Sequence, residues 1–130
     1  MPENQLHLVF FLIGLFQIKH YLADFPLQQE YMVKSKVKES WSFVVPLATH
    51  CFVHALITLS IILWVVPSLW WLSLVDFALH FMMDRIKSGP KYLGRFNDQK
   101  SSAYWNCFGF DQMVHHFTHY GIVYLLVTNV

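Results

Sequence analysis

The stretch VDFALHFMMD, residues 75–84, places three polar side chains in an otherwise apolar run. Asp76, His80 and Asp84 recur at intervals of four residues, and residues at that spacing share one face of a helix. The stretch therefore predicts a helix that carries two carboxylates and an imidazole along one stripe. Its other faces are apolar enough to lie in a lipid bilayer.

The composition of the whole chain is that of a membrane protein. Of its 130 residues, 55% are apolar and only 13% are charged, whereas about 25% of residues are charged in typical soluble domains. A soluble domain this small has too much surface to cover with so few charges. The length suits one domain, so we predict that residues 1–130 form a single integral membrane domain. The alternative is a soluble domain with an extensive apolar interface.

Four apolar segments each approach the roughly 20 residues that a helix needs to cross a bilayer. They lie at about residues 6–22, 46–66, 68–86 and 110–128. The first lacks a positively charged start and a small-residue cleavage site, so we expect a retained helix rather than a signal peptide. The second and third are joined only around Pro67 and Ser68, which forces an antiparallel hairpin. The predicted fold is all-α, a four-helix transmembrane bundle with up-down-up-down topology.

Basic residues are confined to the two polar connections and to the helix ends beside them. In an alternating bundle both connections lie on one side of the membrane, and the positive-inside rule puts that side in the cytoplasm. We therefore predict a multi-pass membrane protein with both termini on the outer side, which is the periplasm if the membrane is the bacterial inner membrane of a Gram-negative host. Lys34, Lys36 and Lys38 are expected to face solvent or lipid headgroups, and no nucleic-acid binding is expected.

Each predicted helix carries histidine and aspartate at the same spacing of four residues. Helices one and three run inward and carry their stripes toward their C-terminal ends, whereas helices two and four run outward and carry theirs near their N-terminal ends. All four stripes therefore fall in the cytoplasmic half of the bundle. Ionisable groups inside a membrane are costly and mark functional sites by default. The stripes supply nine candidate metal ligands: His20, Asp24, His50, His54, Asp76, His80, Asp84, Asp111 and His115.

Imidazole and carboxylate groups in helical register are the ligand set of metal sites in helix bundles. This mixture of nitrogen and oxygen donors suits one or two divalent transition-metal ions, Zn²⁺, Mn²⁺ or Fe²⁺. Two ions that share a bridging carboxylate, with Asp84 or Asp76 as the expected bridge, would use most of the candidates. Such a pair promotes phosphoester hydrolysis, for which the expected catalytic residues are Asp84, His80 and Asp111. Residues expected to lie behind the ligands and orient them are Gln28, Gln112 and His119.

Four blocks of the sequence resemble a small membrane-protein family of bacteria and their phages that is catalogued as a domain of unknown function. The blocks are HYLADFPLQ (20–28), THCFVH (49–54), DFALHFMMDRIK (76–87) and FDQMVHH (110–116). They follow the pattern H-x3-D-F-x-L-Q, H-x3-H, D-x3-H-x3-D-x2-K and D-Q-x2-H, and the resemblance implies that these histidines and aspartates form the site. The chain is more distantly similar to predicted membrane-bound metal-dependent hydrolases, which implies a hydrolytic activity.

The expected function is a metal-dependent hydrolase of an anionic phosphoester or related substrate, surrounded by membrane lipid and able to form a homo-oligomer. Two alternatives stay open: a non-catalytic metal-stabilised membrane protein that binds a partner, and a metal-ion or proton transporter. An open coordination position favours hydrolysis, and a complete shell of protein ligands favours a structural ion. Conduction requires polar groups that continue to the outer face, where the helices carry almost none.

Overall fold

The computed structural model of the protein describes residues 3–130, and every regular element in that range is helical. Its five α-helices are α1 (Glu3–Asp24), α2 (Glu30–Lys36), α3 (Val44–Val65), α4 (Leu72–Ser88) and α5 (Ser102–Thr128). Short 3-10 turns are found at Trp41–Phe43, Pro67–Leu69 and Leu93–Arg95. The prediction of an all-α fold is confirmed.

The four long helices, α1, α3, α4 and α5, pack in a ring. Helix α3 packs against α4, α4 against α5, and α1 against both α5 and α3. Asp76 contacts Thr58 of α3, and Asp84, later in α4, contacts His50, earlier in α3. Asp76 likewise lies near His119 of α5, and Asp84 near His115. In α1, Lys19 contacts Asp76 and the later residue Asp24 contacts His50. Successive long helices therefore alternate in direction, which is the order expected from the short link at Pro67.

Helix α4 begins later than the sequence predicts, and helix α5 begins earlier. Helix α4 begins at Leu72 rather than near Ser68, because the residues from Pro67 to Leu69 form a 3-10 turn. Helix α5 begins at Ser102 rather than near residue 110. The Ser101 hydroxyl accepts a hydrogen bond from the backbone N–H of Tyr104 at 3.2 Å and so caps the helix there. The predicted start was based on apolar content, which does not reveal that Ser101 caps the helix eight residues earlier.

The spans Glu3–Asp24 and Trp41–Val65 are long and apolar enough to cross a membrane, by length and composition alone. Helix α4 has 17 residues, which is short of the roughly 20 that a straight crossing needs. Among the described helices, α4 and α5 do not meet the same measure of length and composition. The structure thus establishes a helical bundle with two such helices, and the four predicted spans are not established.

The interior of the bundle has an apolar end and a polar end. The apolar core is formed by Leu12, Phe16, Ile61, Ile62, Val66, Leu72, Ile122, Val123, Leu126 and Val127. Toward the other end, histidine, aspartate and lysine side chains occupy the buried positions of the same four helices. The packing of the helices therefore brings the predicted stripes together on one interior surface.

Helix α2 and the chain that follows it are fastened over the polar end by Arg85. Its Nη1 donates hydrogen bonds to the carbonyl oxygens of Lys36 and Lys38, each at 3.0 Å. Its guanidinium group lies 3.6 Å from the centroid of the Phe43 ring. Because these contacts fix the end of α2, they decide where the Lys36 side chain lies.

Candidate metal centre

The polar end contains two groups of side chains whose nitrogen and oxygen atoms are spaced as metal ligands. Within each group, one ligand atom from every residue lies within 4.8 Å of all the others. One group comprises Asp24, His50, His54 and His80, and the other comprises His80, Asp84 and His115. Together the groups bring six of the nine predicted ligands into contact, and they draw on all four long helices.

Asp24 is the oxygen donor of the first group. Its Oδ1 lies 3.0 Å from Nε2 of His54 and 3.3 Å from Nε2 of His50. Two ligands that each lie about 2.0–2.2 Å from one ion at tetrahedral angles are roughly 3.3–3.6 Å apart. These atoms are therefore spaced for a shared ion about as well as for direct hydrogen bonds.

Asp84 lies between the two groups. Its Oδ1 is 3.3 Å from Nε2 of His115, and its Oδ2 is 3.4 Å from Nε2 of His50. Each carboxylate oxygen thus faces a histidine of a different group, which is the placement that a bridging carboxylate requires. Of the two bridges that the sequence suggests, the geometry favours Asp84.

His80 belongs to both groups and has the least satisfied side chain in the site. Its ring lies between the rings of His54 and His115, with centroid separations of 3.8 and 3.9 Å. The residue is only 1% exposed, and neither ring nitrogen has a hydrogen-bond partner. Burying a polar group without a partner is costly. A divalent ion bound to one of these nitrogens would remove part of that cost, so the residues present fit a metal.

His20 supports Asp24 instead of joining a ligand group. Its Nε2 lies 3.1 Å from Oδ2 of Asp24 and 3.0 Å from Oε1 of Gln112. It therefore contacts the carboxylate oxygen that His50 and His54 leave free. Hydrogen bonds of this kind fix the orientation of a ligating carboxylate.

Asp111 contacts the same nitrogen of His115 that faces Asp84. Its Oδ1 lies 3.1 Å from Nε2 of His115, and its Oδ2 accepts hydrogen bonds from Lys87 at 2.9 Å and from Gln112 at 3.0 Å. The structure thus places Asp111 beside the second ligand group, with a lysine on its outer side.

Asp76 is engaged elsewhere. Its Oδ2 accepts hydrogen bonds from Lys19 Nζ at 2.9 Å and from Thr58 Oγ1 at 2.7 Å, and its Oδ1 lies 3.7 Å from Nε2 of His119. Asp76 precedes Asp84 by eight residues, which is roughly 12 Å of helical rise, whereas paired ions lie only about 3.5–4 Å apart. The geometry therefore gives no support to the expected bridging role of Asp76. It also places His119 with this buried ion pair.

Two lysines complete the carboxylate side of the site. Lys36 Nζ donates a hydrogen bond to Oδ2 of Asp84 at 3.1 Å, and Lys87 Nζ lies 2.9 Å from Oδ2 of Asp111. Burial acts to lower the pKa of Lys87, which lies beyond the predicted span 68–86, but the Asp111 carboxylate outweighs it and holds that pKa above its usual value. The amide group of Gln28 lies 3.0 Å from Lys36 Nζ.

The position of Lys36 corrects the expectation that it faces solvent or lipid headgroups. The residue is buried, with 8% of its surface exposed, because α2 folds back over the polar end. Nothing in the local sequence distinguishes Lys36 from Lys34 and Lys38. Lys87, by contrast, belongs to the block D-x3-H-x3-D-x2-K, so the sequence does contain a signal for it.

A cavity of about 100 Å³ opens on the carboxylate side of the two groups. Its lining comprises Asp24, Phe25, Gln28, Lys36, Asp84, Lys87, Phe108, Asp111 and Gln112. His80 is not among the described residues that line it. Since one water needs about 10–15 Å³ of such space, the cavity has room for several waters or for a group the size of a phosphate.

The fold and the site together define a class, that of an all-helical protein with a buried cluster of histidine and aspartate able to hold a metal ion. The chain belongs to the family described as "Protein of unknown function (DUF3307)", whose model matches residues 9–130. No curated protein and no solved structure matches the chain. Membership of a family of unknown function is therefore confirmed, and the family description carries no indication of activity or location.

Proposed function

We propose that the protein is a metal-dependent hydrolase of a phosphoester or a related anionic substrate, acting at the cytoplasmic face of a membrane. The observation that carries the proposal is the His80 ring, which is buried, shared by both ligand groups and without a hydrogen-bond partner at either nitrogen. A cluster of this kind is costly to bury unless something other than protein satisfies it.

Both ligand groups suit divalent transition metals. Asp24, His50, His54 and His80 offer four donors, enough for a four-coordinate shell. If His80 completes that shell, Asp84 and His115 remain for a second ion, which keeps open positions. The mixture of imidazole and carboxylate suits Zn²⁺, Mn²⁺ or Fe²⁺. Such an ion, when bound, polarises substrate oxygens and lowers the pKa of coordinated water.

The carboxylate side of the site suits an anionic substrate. Lys36 and Lys87 both line the 100 Å³ cavity, and each ammonium has three N–H donors. Lys87 uses one donor on Asp111, and Lys36 uses one on Asp84 and one on the amide oxygen of Gln28. Each lysine thus keeps at least one donor for a phosphate oxygen.

Asp84 and Asp111 line the same cavity. Asp111 is proposed to accept a proton from an attacking water, and Asp84 to hold the metal beside it. His80 lies behind them and is assigned to metal binding rather than to proton transfer.

The distribution of side chains supports the membrane part of the proposal. Phe10, Trp64, Phe117 and Tyr124 are each more than 60% exposed on the outer faces of the long helices, while the ionisable groups of the site are buried. A lipid environment favours this arrangement. Together with the confinement of Lys and Arg to two connections, it supports four spans with both termini in the periplasm. The short helix α4 would then rely on local thinning of the bilayer.

A non-catalytic, metal-stabilised protein is the second candidate. It is favoured by the four donors of the first group, since a closed shell is typical of a structural ion. A metal-ion or proton transporter is disfavoured, because the apolar core around Leu12, Ile62 and Leu126 fills the other half of the bundle.

The hydrolase proposal is tested with protein purified in detergent and loaded with Zn²⁺, Mn²⁺ or Fe²⁺. A panel of chromogenic phosphomonoesters and phosphodiesters is assayed before and after chelation, with Asp84→Asn as the inactive control. The proposal expects metal-dependent turnover that Asp84→Asn abolishes. Protein that retains its metal and turns over none of these substrates would favour the structural candidate.

A further inference from the structure

We propose that the substrate is an amphiphile, a lipid-like phosphate ester whose anionic head enters the 100 Å³ cavity and whose apolar part lies in a larger cavity outside it. This inference rests on the proposed function, because it names the substrate class of the same site. The affinity of the protein for such a molecule can be measured without any turnover.

The larger cavity adjoins the smaller one. Its volume is about 380 Å³, which falls within the range of about 300–1,000 Å³ typical of small-molecule sites. It lies between α2, the end of α4, the turn Leu93–Arg95 and the start of α5. Both cavities are lined by Gln28, Lys36, Lys87 and Phe108. A ligand that fills both must therefore pass the two lysines.

The two cavities differ in chemistry. Three carboxylates and two lysines line the smaller one, whereas apolar side chains that include Val33, Val37, Leu93 and Phe96 line the larger one. At the junction, Lys87 Nζ lies 4.9 Å from the centroid of the Phe108 ring. Charge at one end and apolar walls at the other fit a molecule with a phosphate head and a hydrocarbon body.

The exposed surface at the end of α2 indicates how such a molecule would arrive. Val33 and Val37, four residues apart, are both exposed, and Trp41 in the following 3-10 turn is 86% exposed. Exposed aromatic and aliphatic side chains at a membrane surface insert at the level of the lipid headgroups. Because Val33 and Val37 also line the larger cavity, this apolar surface leads from the lipid phase to the cavity wall.

The binding test uses metal-loaded protein in phosphatidylcholine nanodiscs, with empty nanodiscs as the background, and a series from ethyl phosphate to hexyl phosphate. Affinity, measured by calorimetry, is expected to rise about fourfold for each methylene that enters the larger cavity. The double variant Lys36→Met/Lys87→Met is expected to weaken the binding of every member by about tenfold or more, because it removes charged hydrogen-bond donors.

Cys107 offers a way to fill the larger cavity without a bulky mutation. It lines that cavity and is only partly buried, whereas the other cysteine, Cys51, is buried in α3. Alkylation of Cys107 with N-ethylmaleimide is expected to abolish the dependence on chain length and to leave ethyl phosphate binding unchanged. The matched control is Cys107→Ala, which should keep that dependence after the same treatment.

Three results would overturn the inference. The first is an affinity that does not change with chain length. The second is a chain-length dependence that survives alkylation of Cys107, as expected if the alkyl groups bind the apolar cavity of about 460 Å³ between α1 and α5. The third is tighter binding of a nucleoside monophosphate than of hexyl phosphate.

The inference and the proposed function can fail separately. If hexyl phosphate binds as described and no phosphate ester is hydrolysed, the amphiphile site stands and the hydrolase proposal fails. If a water-soluble phosphoester is hydrolysed while affinity is independent of chain length, the hydrolase proposal stands and the amphiphile site fails.

Discussion

The rings of His80 and His115 stack face to face in the interior of the bundle, with 3.9 Å between their centroids and 24° between their planes. Two imidazolium ions at this distance in a buried site would repel each other strongly. At least one ring is therefore neutral, and a neutral imidazole is the form that binds a metal.

Removing the two lysines at the cavity should impair substrate binding and leave the metal in place. In Lys36→Met/Lys87→Met, the KM for a phosphoester is expected to rise about tenfold or more, because each lysine offers charged hydrogen bonds to the anion. Metal content, measured by mass spectrometry of the purified protein, should match the wild type, since neither lysine provides a ligand. Lys34→Met, on the exposed face of α2, is the matched control. Loss of metal from the double variant would contradict this division of roles.

Breaking the buried pair of Lys19 and Asp76 should cost stability rather than metal. Asp76→Asn leaves the Lys19 ammonium buried without a carboxylate partner, at a cost of about 3–5 kcal/mol. The double variant Lys19→Met/Asp76→Leu removes both charges and should recover much of that loss. Thermal unfolding in detergent measures the stability of both variants. Metal analysis of the double variant checks that it still binds the metal. A stable Asp76→Asn protein devoid of metal would instead make Asp76 a ligand.

Replacing His20 should weaken the metal site without abolishing it. In His20→Ala, Oδ2 of Asp24 loses the ring nitrogen that holds it at 3.1 Å. Loss of such an orienting contact typically costs about 10–100-fold in metal affinity, which competition with a coloured chelator would measure. Affinity equal to that of the wild type would show that His20 does not position Asp24.

Cysteine labelling in intact cells tests the membrane topology. On a Cys51→Ser/Cys107→Ser background, Ser68→Cys lies at the exposed turn between α3 and α4, at the same end of the bundle as the start of α1 and the end of α5. A membrane-impermeant maleimide applied to spheroplasts should modify this cysteine. The native Cys107, tested on a Cys51→Ser background, should react only after the cells are permeabilised. The opposite pattern would invert the proposed orientation, and labelling of both positions would exclude it.

The stripes were predictable because register within a helix is a local property. Spacing of four residues put His50 with His54 and His80 with Asp84 on common helix faces. In the structure, His50 and His54 belong to the first ligand group, and His80 and Asp84 belong to the second. The shared depth of the stripes followed from the alternating direction of the helices, which short links and the distribution of lysine and arginine already indicated.

The partners of each polar side chain were not predictable from register. Asp76 has the same spacing as Asp84, yet it contacts Lys19 of α1 and Thr58 of α3, because those helices approach α4 at its level. Lys36 reaches Asp84 only because Arg85 holds the end of α2 over the bundle. Both outcomes depend on packing between segments far apart in the chain.

The most direct test of the account is the metal content of the protein itself, measured by mass spectrometry after purification without chelators. The wild type is expected to carry at least one equivalent of Zn, Mn or Fe, and His80→Ala is expected to lose most of it. His116→Ala is the matched control, because His116 is half-buried on the same helix as His115, contacts Gln17 and lies outside both ligand groups; it should retain the metal. Wild-type protein with no more than traces of transition metal, even after incubation with each ion, would contradict the central claim.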